Sequence, residues 1–181
     1  WMTSMTDQHA SRRMRAICLF VILASCIGCD RASKELATSR LKGQAGHSYL
    51  SDCVRVQYAE NPGAFLGVGG SLSPQIRFWL LVVVNVLFLS VVAYLLVAKW
   101  DMPAARFAAL AFLLAGGIGN LIDRVGHDGL VIDFLNLGIG PVRTGIFNVA
   151  DVAITVGAIA LFFLYPRANE QQEAAVSGRT P

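Results

Sequence analysis

The sequence predicts an all-α membrane protein with four transmembrane helices and a small β element in the loop after the first helix. Of the 181 residues, 55% are hydrophobic and only 15% are charged, whereas soluble domains carry about 25% charged residues. Four apolar stretches alternate with polar segments. One domain is expected at this length. The net charge of +3 is too small for a nucleic-acid-binding surface, so no nucleic-acid partner is expected.

The four apolar stretches differ in length. The second, Phe78 to Ala98, is long enough to cross a bilayer, whereas the others contain only 14 to 16 residues. Extending each short stretch across its flanking carboxylate gives a helix of sufficient length and puts the acid just inside one membrane face. The tails, 1–11 and 168–181, are polar and are predicted to be disordered. The predicted spans cover residues of about 14–33, 75–98, 105–124 and 148–166.

The loop after the first span contains short extended segments. Residues 54–58, V-R-V-Q-Y, alternate like an edge strand. The N-P-G sequence at 61–63 and the glycines at 67, 69 and 70 are typical of turns around a second extended piece. A small β element is therefore expected to rest on the outer membrane face.

Aspartates lie at the ends of the short apolar stretches. Asp30 ends the first, Asp123 ends the third and Asp151 begins the fourth, while Asp133 lies in the loop between the last two. If the N-terminus is inside, four spans bring these acids to the outer face. Carboxylates beside hydrocarbon are costly, so they are functional candidates.

The placement of basic residues favours this orientation. Seven Lys and Arg residues lie on the inner side and eight on the outer side. The inner ones lie close to span ends, and Arg12, Arg13 and Arg15 precede the first helix, which carries the strongest topological signal. Both termini are therefore predicted to be cytoplasmic.

Asp133 and Asp151 are the candidate catalytic pair. Two carboxylates in a low-dielectric site share one proton because both cannot ionise cheaply. Such a pair supplies a general base for water and a general acid for a leaving amine. The ordinary alternative for a single aspartate is a helix cap or an ion pair. Asp123, followed by Arg124 and with Asn120 on the same helix face, is as readily a scaffold ion pair as a catalyst.

Three further features have two interpretations each. Asp30, with Lys34 four residues later, is predicted to form an ordinary ion pair unless it belongs to the site. Asn148, three residues before Asp151, either caps the fourth helix or orients a carboxylate. The G-G-I-G sequence at 116–119 is typical of close helix packing, with a substrate groove as the alternative.

Cysteines and histidines do not form a metal or disulfide pattern. Cys18, Cys26 and Cys29 share the first apolar stretch, Cys53 lies outside it, and the three histidines are far apart. A metalloenzyme is therefore not expected. The sequence L-A-S-C at 23–26 resembles a lipoprotein cleavage signal, but a lipoprotein would leave the later spans unexplained. Small residues in a packed helix are the preferred interpretation.

Five segments carry a resemblance to one family, namely D30-R-A-S-K-E-L-A37, N61-P-G-A-F65, G116-G-I-G-N-L-I-D-R124, V131-I-D-F134 and F147-N-V-A-D-V-A-I154. In this order and at these spacings they resemble the motifs of the bacterial type II, or lipoprotein, signal peptidases. The chain departs from the usual family pattern at Arg31 and Ser33, where Gln and Thr are common, and it lacks a second alanine before Phe65. The resemblance extends from about residue 12 to 167.

The resemblance implies a single integral-membrane aspartic endopeptidase domain over residues 1–181, with Asp133 and Asp151 as its catalytic pair. It also implies a location in the bacterial inner membrane with the active site at the periplasmic face. Supporting or substrate-binding positions by the same match are Asp30, Lys34, Asn61, Gly63, Asn120, Asp123, Arg124, Asn148 and Ala150.

The family's activity is specific. It removes the signal peptide from diacylglyceryl-modified prolipoproteins just before the lipidated cysteine, and the cyclic peptide globomycin inhibits it. The implied partners of this chain are therefore such prolipoproteins and membrane lipids. No metal or organic cofactor is implied, and a monomer is expected.

Other classes of membrane protein share some of these features. A proton-coupled carrier also places carboxylates in membrane helices, but it needs them near the midplane and an internal repeat, and the sequence shows neither. A structural membrane anchor predicts that the acids can be replaced. Other intramembrane proteases are disfavoured because G-x-S-x-G, H-E-x-x-H and G-x-G-D signatures are missing.

Overall fold

The computed structural model of the protein describes residues 2–63 and 73–177, with side chains described over 12–63 and 73–164. The glycines at 67, 69 and 70, and the extended piece predicted around them, lie outside the described residues. The elements of the described chain are α1 (Met2–Leu41), β1 (His47–Tyr49), β2 (Val54–Asn61), α2 (Pro74–Ala98), α3 (Ala104–Gly126), β3 (Val131–Ile139), β4 (Val142–Arg143) and α4 (Val149–Ser177).

The two middle helices have local start and stop signals. Helix α2 begins at Pro74, whose fixed φ suits the first helical position. Helix α3 begins directly after Pro103 and ends where the backbone N–H of His127 donates to the carbonyl of Asp123 at 2.7 Å. Both helices coincide within two residues with those predicted over 75–98 and 105–124.

Helices α1 and α4 are longer than the sequence analysis predicted. Helix includes residues 2–11 and 168–177, where disorder was expected, and 178–181 lie outside the described residues. Extending an existing helix is easy because each added residue gains a backbone hydrogen bond without a new nucleation cost. Polar composition alone therefore does not end either helix.

Among the described residues, three helices are long and apolar enough to cross a membrane: Arg12–Leu41, Pro74–Ala98 and Ala104–Gly126. The apolar part of α4, Val149–Leu164, is shorter. At a rise of 1.5 Å per residue it is roughly 24 Å long, slightly less than the hydrocarbon core of a bilayer. The protein is thus a mostly helical membrane protein with a small antiparallel sheet.

The sheet has the strand order β1-β2-β3-β4, with antiparallel pairing throughout. Strand β2 pairs with β1 on one side and β3 on the other, so the prediction of an edge strand at 54–58 was wrong. Alternation of apolar and polar residues does not distinguish an edge strand from a central one. Strand β2 is central because it also pairs with β3, which comes from a distant part of the sequence. The β element therefore joins the segment after α1 to the segment after α3, rather than lying in the first alone.

Helix α3 is the central helix, packing against α1, α2 and α4. Glycines permit the closest of these contacts. A Cβ at Gly116 would overlap the carbonyl oxygen of Ala150, and one at Gly157 would lie 2.6 Å from the carbonyl oxygen of Ala109. The helix-packing interpretation of Gly116 is therefore confirmed. In contrast, α1 and α2 both pack on α3 but hardly touch each other.

A small apolar cluster joins α1 to the sheet. It contains Ala37, Leu41 and Phe134, all buried, with Val56 and Tyr58 packed against them. Because neighbouring strand residues point to opposite faces, Phe134 faces this cluster while Asp133 points to the other side of β3. The cluster thereby fixes the strand that carries the candidate catalytic aspartate.

Candidate active site

Asp133 and Asp151 lie on different elements. Asp133 is on strand β3, paired in register with Ala59, and is only 1% exposed. The sequence analysis had placed it in a loop, because its strand partner is more than 70 residues away in sequence. Asp151 lies in the first turn of α4 and is partly buried. The site is therefore formed where the sheet meets the start of a helix.

Both carboxylate oxygens of Asp133 accept hydrogen bonds from asparagine side chains. Asn61 Nδ2 donates to Oδ2 at 2.9 Å, and Asn148 Nδ2 donates to Oδ1 at 2.7 Å. These two donors come from β2 and from the residue before α4. They hold the carboxylate in one orientation between the two elements.

Asn148 also forms a reciprocal cap with Asp151. The backbone N–H of Asp151 donates to Asn148 Oδ1 at 2.9 Å, and the backbone N–H of Asn148 donates to Asp151 Oδ2 at 3.2 Å. This is the geometry of a capping box, in which the N-cap and third helical residues satisfy each other's backbone. Both interpretations of Asn148 are thus correct, since it caps α4 and orients Asp133.

Asn120, on α3, is the second polar link. Its Nδ2 donates to Asp151 Oδ1 at 2.8 Å, and its Oδ1 accepts from Asn148 Nδ2 at 3.1 Å and from Lys34 Nζ at 3.2 Å. Two asparagines therefore connect both aspartates to each other and to a buried cation.

The environment of Asp133 favours its protonated form. Burial raises its pKa to about 6, and the charge of Asp151 acts in the same direction. Hydrogen bonds from Asn61 and Asn148, with the more distant charge of Lys34, oppose this increase. A carboxyl group that titrates near neutral pH can give or take a proton under physiological conditions.

A neutral charge cluster lies beside the two aspartates. Lys34 is completely buried, and its Nζ lies 2.8 Å from both Asp30 and Asp123. Arg31 also pairs with Asp123. Two cations thus balance two carboxylates. This balance matters because a buried charge without a partner of opposite charge is strongly destabilising. The predicted ion pair between Asp30 and Lys34 is present, but it belongs to a larger network.

The two acids of this cluster hold the backbone next to the two site aspartates. Asp30 Oδ1 accepts from the N–H of Ala150, the residue before Asp151, at 2.9 Å. Asp123 Oδ2 accepts from the N–H of Ile132, the residue before Asp133, at 3.1 Å. Because Lys34 bridges both acids, one cation ties together the two segments that carry the candidate pair.

Arg124 does not pair with Asp123. It is buried and donates to the carbonyl oxygens of Gly63 at 3.1 Å and Asn120 at 3.3 Å, which links α3 to the end of β2. The expected partner is wrong because adjacent helical residues point in different directions. Asp123 is nevertheless a scaffold ion-pair residue, because it pairs with Lys34 and Arg31. The Nε atom of Arg124 is buried without a hydrogen-bond partner among the described residues.

The comparisons with known proteins agree on a family. Residues 9–165 match the family model of signal peptidase (SPase) II. The chain belongs to the signal peptidase II family.

Relatives and solved structures extend this result. A lipoprotein signal peptidase of Moorella thermoacetica is 33% identical over 85% of this chain and 98% of its own length. A lipoprotein signal peptidase of Desulforapulum autotrophicum is 29% identical over 84% of this chain and 93% of its own length. A solved bacterial membrane enzyme has a similar fold, with a TM-score of 0.73 at 22% identity over 84% of this chain and 90% of its own.

The prediction that this chain is a member of the lipoprotein signal peptidases is therefore confirmed. The structure brings all the predicted site residues into one region. They are Asp133 and Asp151 with Asp30, Lys34, Asn61, Gly63, Asn120, Asp123, Arg124, Asn148 and Ala150. Phe65 lies outside the described residues.

Sequence reasoning missed one member of the network. Arg31 had been noticed only as a departure from the family pattern, yet it pairs with Asp123. The helical period offers a weak signal, since Arg31 follows Asp30 and lies one turn before Lys34 in the same helix. Its partner could not be identified because Asp123 is 92 residues away. Among the described residues, no group of three or more acidic, His or Cys side chains could hold a metal ion.

Proposed function

We propose that this signal peptidase II is an aspartic endopeptidase that removes the signal peptide from diacylglyceryl-modified prolipoproteins, just before the lipidated cysteine. The observation that carries this proposal is the buried contact between Asn148, Asp133 and Asp151. One asparagine binds both carboxylates, at 2.7 Å and through a reciprocal cap. This pair of linked carboxyl groups can activate a water molecule for peptide hydrolysis.

The two carboxyl groups have different environments, which suggests different roles. Burial favours a proton on Asp133, whose pKa is raised to about 6. Asp151 is more exposed and accepts two N–H bonds at the N-terminus of α4. Asp151 therefore acts as the general base and Asp133 as the proton donor at the start of the cycle.

The reaction then needs no covalent intermediate. Asp151 removes a proton from a water molecule, which attacks the scissile carbonyl, and Asp133 supplies the proton that the leaving amine requires. After cleavage, the proton taken up by Asp151 restores the shared proton of the pair. Asn61, Asn120 and Asn148 keep the carboxyl groups oriented throughout.

The placement of the site fits a lipid-modified substrate. Asp123 and Asp151 lie near helix ends, and Asp30, within α1, binds the backbone N–H of Ala150 next to Asp151. A substrate anchored in the bilayer can therefore reach the site without leaving it. We propose that this end faces the periplasm of the bacterial inner membrane, that α4 is a fourth span, and that both termini are cytoplasmic. We further propose that the chain acts as a monomer, because the network is completed within one chain.

The catalytic proposal is tested with purified full-length protein in detergent and a diacylglyceryl-modified prolipoprotein. Asp133→Asn and Asp151→Asn should each lower the cleavage rate by about 10² to 10⁴ or more, because an amide cannot share the proton. Asp128→Asn is the control, since Asp128 is exposed and outside the network. Near-normal turnover by either site variant would reject the aspartic mechanism.

The orientation is tested separately by labelling intact cells with an impermeant thiol reagent. In a cysteine-free background, Gln44→Cys, exposed before β1, should be labelled from outside. Gln171→Cys, in the C-terminal tail, should be labelled only after the membrane is permeabilised. External labelling of Gln171→Cys would reject the proposed topology.

A further inference from the structure

A cleft opens at the opposite end of the molecule from the two aspartates. It has a volume of about 500 Å³. It lies between residues 12–16 of α1 and the end of α2. From Arg13 to Asp30 along α1 is roughly 25 Å at 1.5 Å per residue, so the cleft is separate from the site described above. Its lining residues are Arg12, Arg13, Ala16, Val97 and Trp100.

Arg15 fixes the walls of this cleft. Its guanidinium donates to the carbonyl oxygens of Trp100 and, at 2.7 Å, of Met102, and it lies 5.7 Å from the ring centroid of Phe107. Trp100 packs edge-on against the same Phe107 ring. The start of α1 is therefore attached to the connection between α2 and α3, while α1 and α2 stay apart because each packs on α3 instead.

The cleft combines positive charge with an apolar wall. Arg12 and Arg13 are exposed, and neither has an ion pair within the described side chains of 12–63 and 73–164. The neighbouring connection adds one cation and one anion, Lys99 and Asp101, both exposed, so the described side chains around the cleft carry a net positive charge. Val97, on the opposite wall, is 71% exposed although it is apolar.

Trp100, in the wall of the cleft, has an unsatisfied hydrogen-bond donor. Its indole nitrogen is buried and has no hydrogen-bond acceptor among the described residues. Buried donors are normally satisfied by protein, water or a ligand. Trp100 is also a lining residue of the cleft, so this unsatisfied group belongs to its wall.

We propose that this cleft binds an anionic phospholipid, with the phosphate between Arg12 and Arg13 and an acyl chain along Ala16 and Val97. Guanidinium groups match phosphate oxygens in a two-pronged geometry. Basic clefts between membrane helices are suited to anionic headgroups, because the charge binds the phosphate while the apolar wall binds the chain. The inference depends neither on the proposed reaction nor on the orientation in the membrane.

Native mass spectrometry of the full chain in detergent tests the proposal with three probes: phosphatidylglycerol, phosphatidylcholine and inorganic phosphate. Phosphatidylglycerol should bind about tenfold or more tightly than phosphatidylcholine, given the attraction of two arginines. Inorganic phosphate should displace it only weakly, because phosphate has no acyl chain. Equal binding of both lipids, or displacement by phosphate as effective as by the lipid, would show that the proposal is wrong.

Three variants locate the binding. Arg12→Gln combined with Arg13→Gln should reduce phosphatidylglycerol binding to the level of phosphatidylcholine. Arg40→Gln, an exposed arginine at the far end of α1, is the control and should bind as the wild type does. Ala16→Phe keeps both arginines but fills the cleft, and it should also lose about tenfold in affinity. The cleft assignment would be overturned if Ala16→Phe bound phosphatidylglycerol as tightly as the wild type does. It would also be overturned if Arg40→Gln lost as much affinity as the double arginine variant, because binding would then be spread over the surface.

Discussion

The side-chain nitrogen of Asn148 lies 2.7 Å from Oδ1 of Asp133, and this hydrogen bond joins the start of α4 to strand β3. The same side chain caps α4 through its oxygen, which accepts from the backbone of Asp151 at 2.9 Å. One residue therefore has a structural and an orienting role, and each uses a different atom. Substitutions can separate the two.

Asn148→Ser should lose activity while keeping the cap of α4. A serine hydroxyl can still cap α4, but it does not reach Asp133 as the longer amide does. We expect the free energy of unfolding to fall by about 1–3 kcal/mol, because Asp133 and Asn120 lose a buried donor. The value of kcat/KM should fall on the order of 10- to 100-fold through misorientation of Asp133.

Asn148→Ala is the matched variant, because it removes both functions. It should lose similar activity and about 1 kcal/mol more stability than Asn148→Ser, because the cap is lost as well. Thermal unfolding and kcat/KM are measured for both variants. If Asn148→Ser kept full activity, the orienting role of Asn148 would be refuted.

Lys34→Met should strongly destabilise the protein. Lys34 is the only cation within 4.0 Å of Asp30 among the described residues, and removing it leaves that carboxylate buried and unpaired. Breaking a buried pair from one side costs about 3–5 kcal/mol. The expected result is a much lower yield of folded protein on size-exclusion chromatography.

A second substitution distinguishes the roles of the two acids. Lys34→Met with Asp30→Asn should recover much of the folded protein, because Asp123 keeps its pair with Arg31. Lys34→Met with Asp123→Asn should recover less, because Asp30 then remains buried and unpaired. Equal recovery in both double variants would contradict this description of the cluster.

Gly116→Ala should destabilise the contact between α3 and α4. The added methyl group would overlap the carbonyl oxygen of Ala150, next to Asp151, so the helices must move apart. We expect a loss of about 1–3 kcal/mol, as for other overpacked positions. Gly28→Ala is the control, because nothing lies within 4 Å of a Cβ there and alanine favours the helix. A fall in melting temperature for Gly28→Ala as large as for Gly116→Ala would refute the packing argument.

The sequence was informative where interactions are local. The pair of Asp30 and Lys34 follows from the helical period, and the cap by Asn148 follows from its position three residues before Asp151. Contacts between distant segments were not accessible in this way. The pair of Arg31 and Asp123, and the strand around Asp133, depend on partners more than 70 residues away.

Resemblance to a family supplied what local reasoning could not. It identified Asn61 and Ala150 as site positions, although neither has a side-chain signal that separates it from an ordinary turn or helix residue. The structure supplies the physical reason. Asn61 donates to Asp133 from β2, and Ala150 contributes only its backbone N–H, which Asp30 accepts.

The buried state of Asp133 predicts a pH-dependent stability. Its pKa is raised from 3.8 to about 6, so the folded state binds the proton more tightly than the unfolded state between these values. Stability contributed by this group is therefore fully present below about pH 4 and is lost as the pH rises through 6. The pKa difference between the unfolded and folded states corresponds to a loss of about 3 kcal/mol in the free energy of unfolding.

Asp133→Asn removes this dependence because an amide does not titrate. The stability of the variant relative to the wild type should therefore improve between pH 4 and pH 7, by up to about 3 kcal/mol. Any hydrogen bond lost to Asn61 or Asn148 shifts the variant equally at every pH and does not change this trend. Thermal unfolding in detergent at pH 4, 5, 6 and 7 measures it, with the exposed Asp128→Asn as a control that should show no such trend. A flat or opposite trend for Asp133→Asn would mean that Asp133 is ionised at little cost, and the assignment of the shared proton to this residue would have to be abandoned.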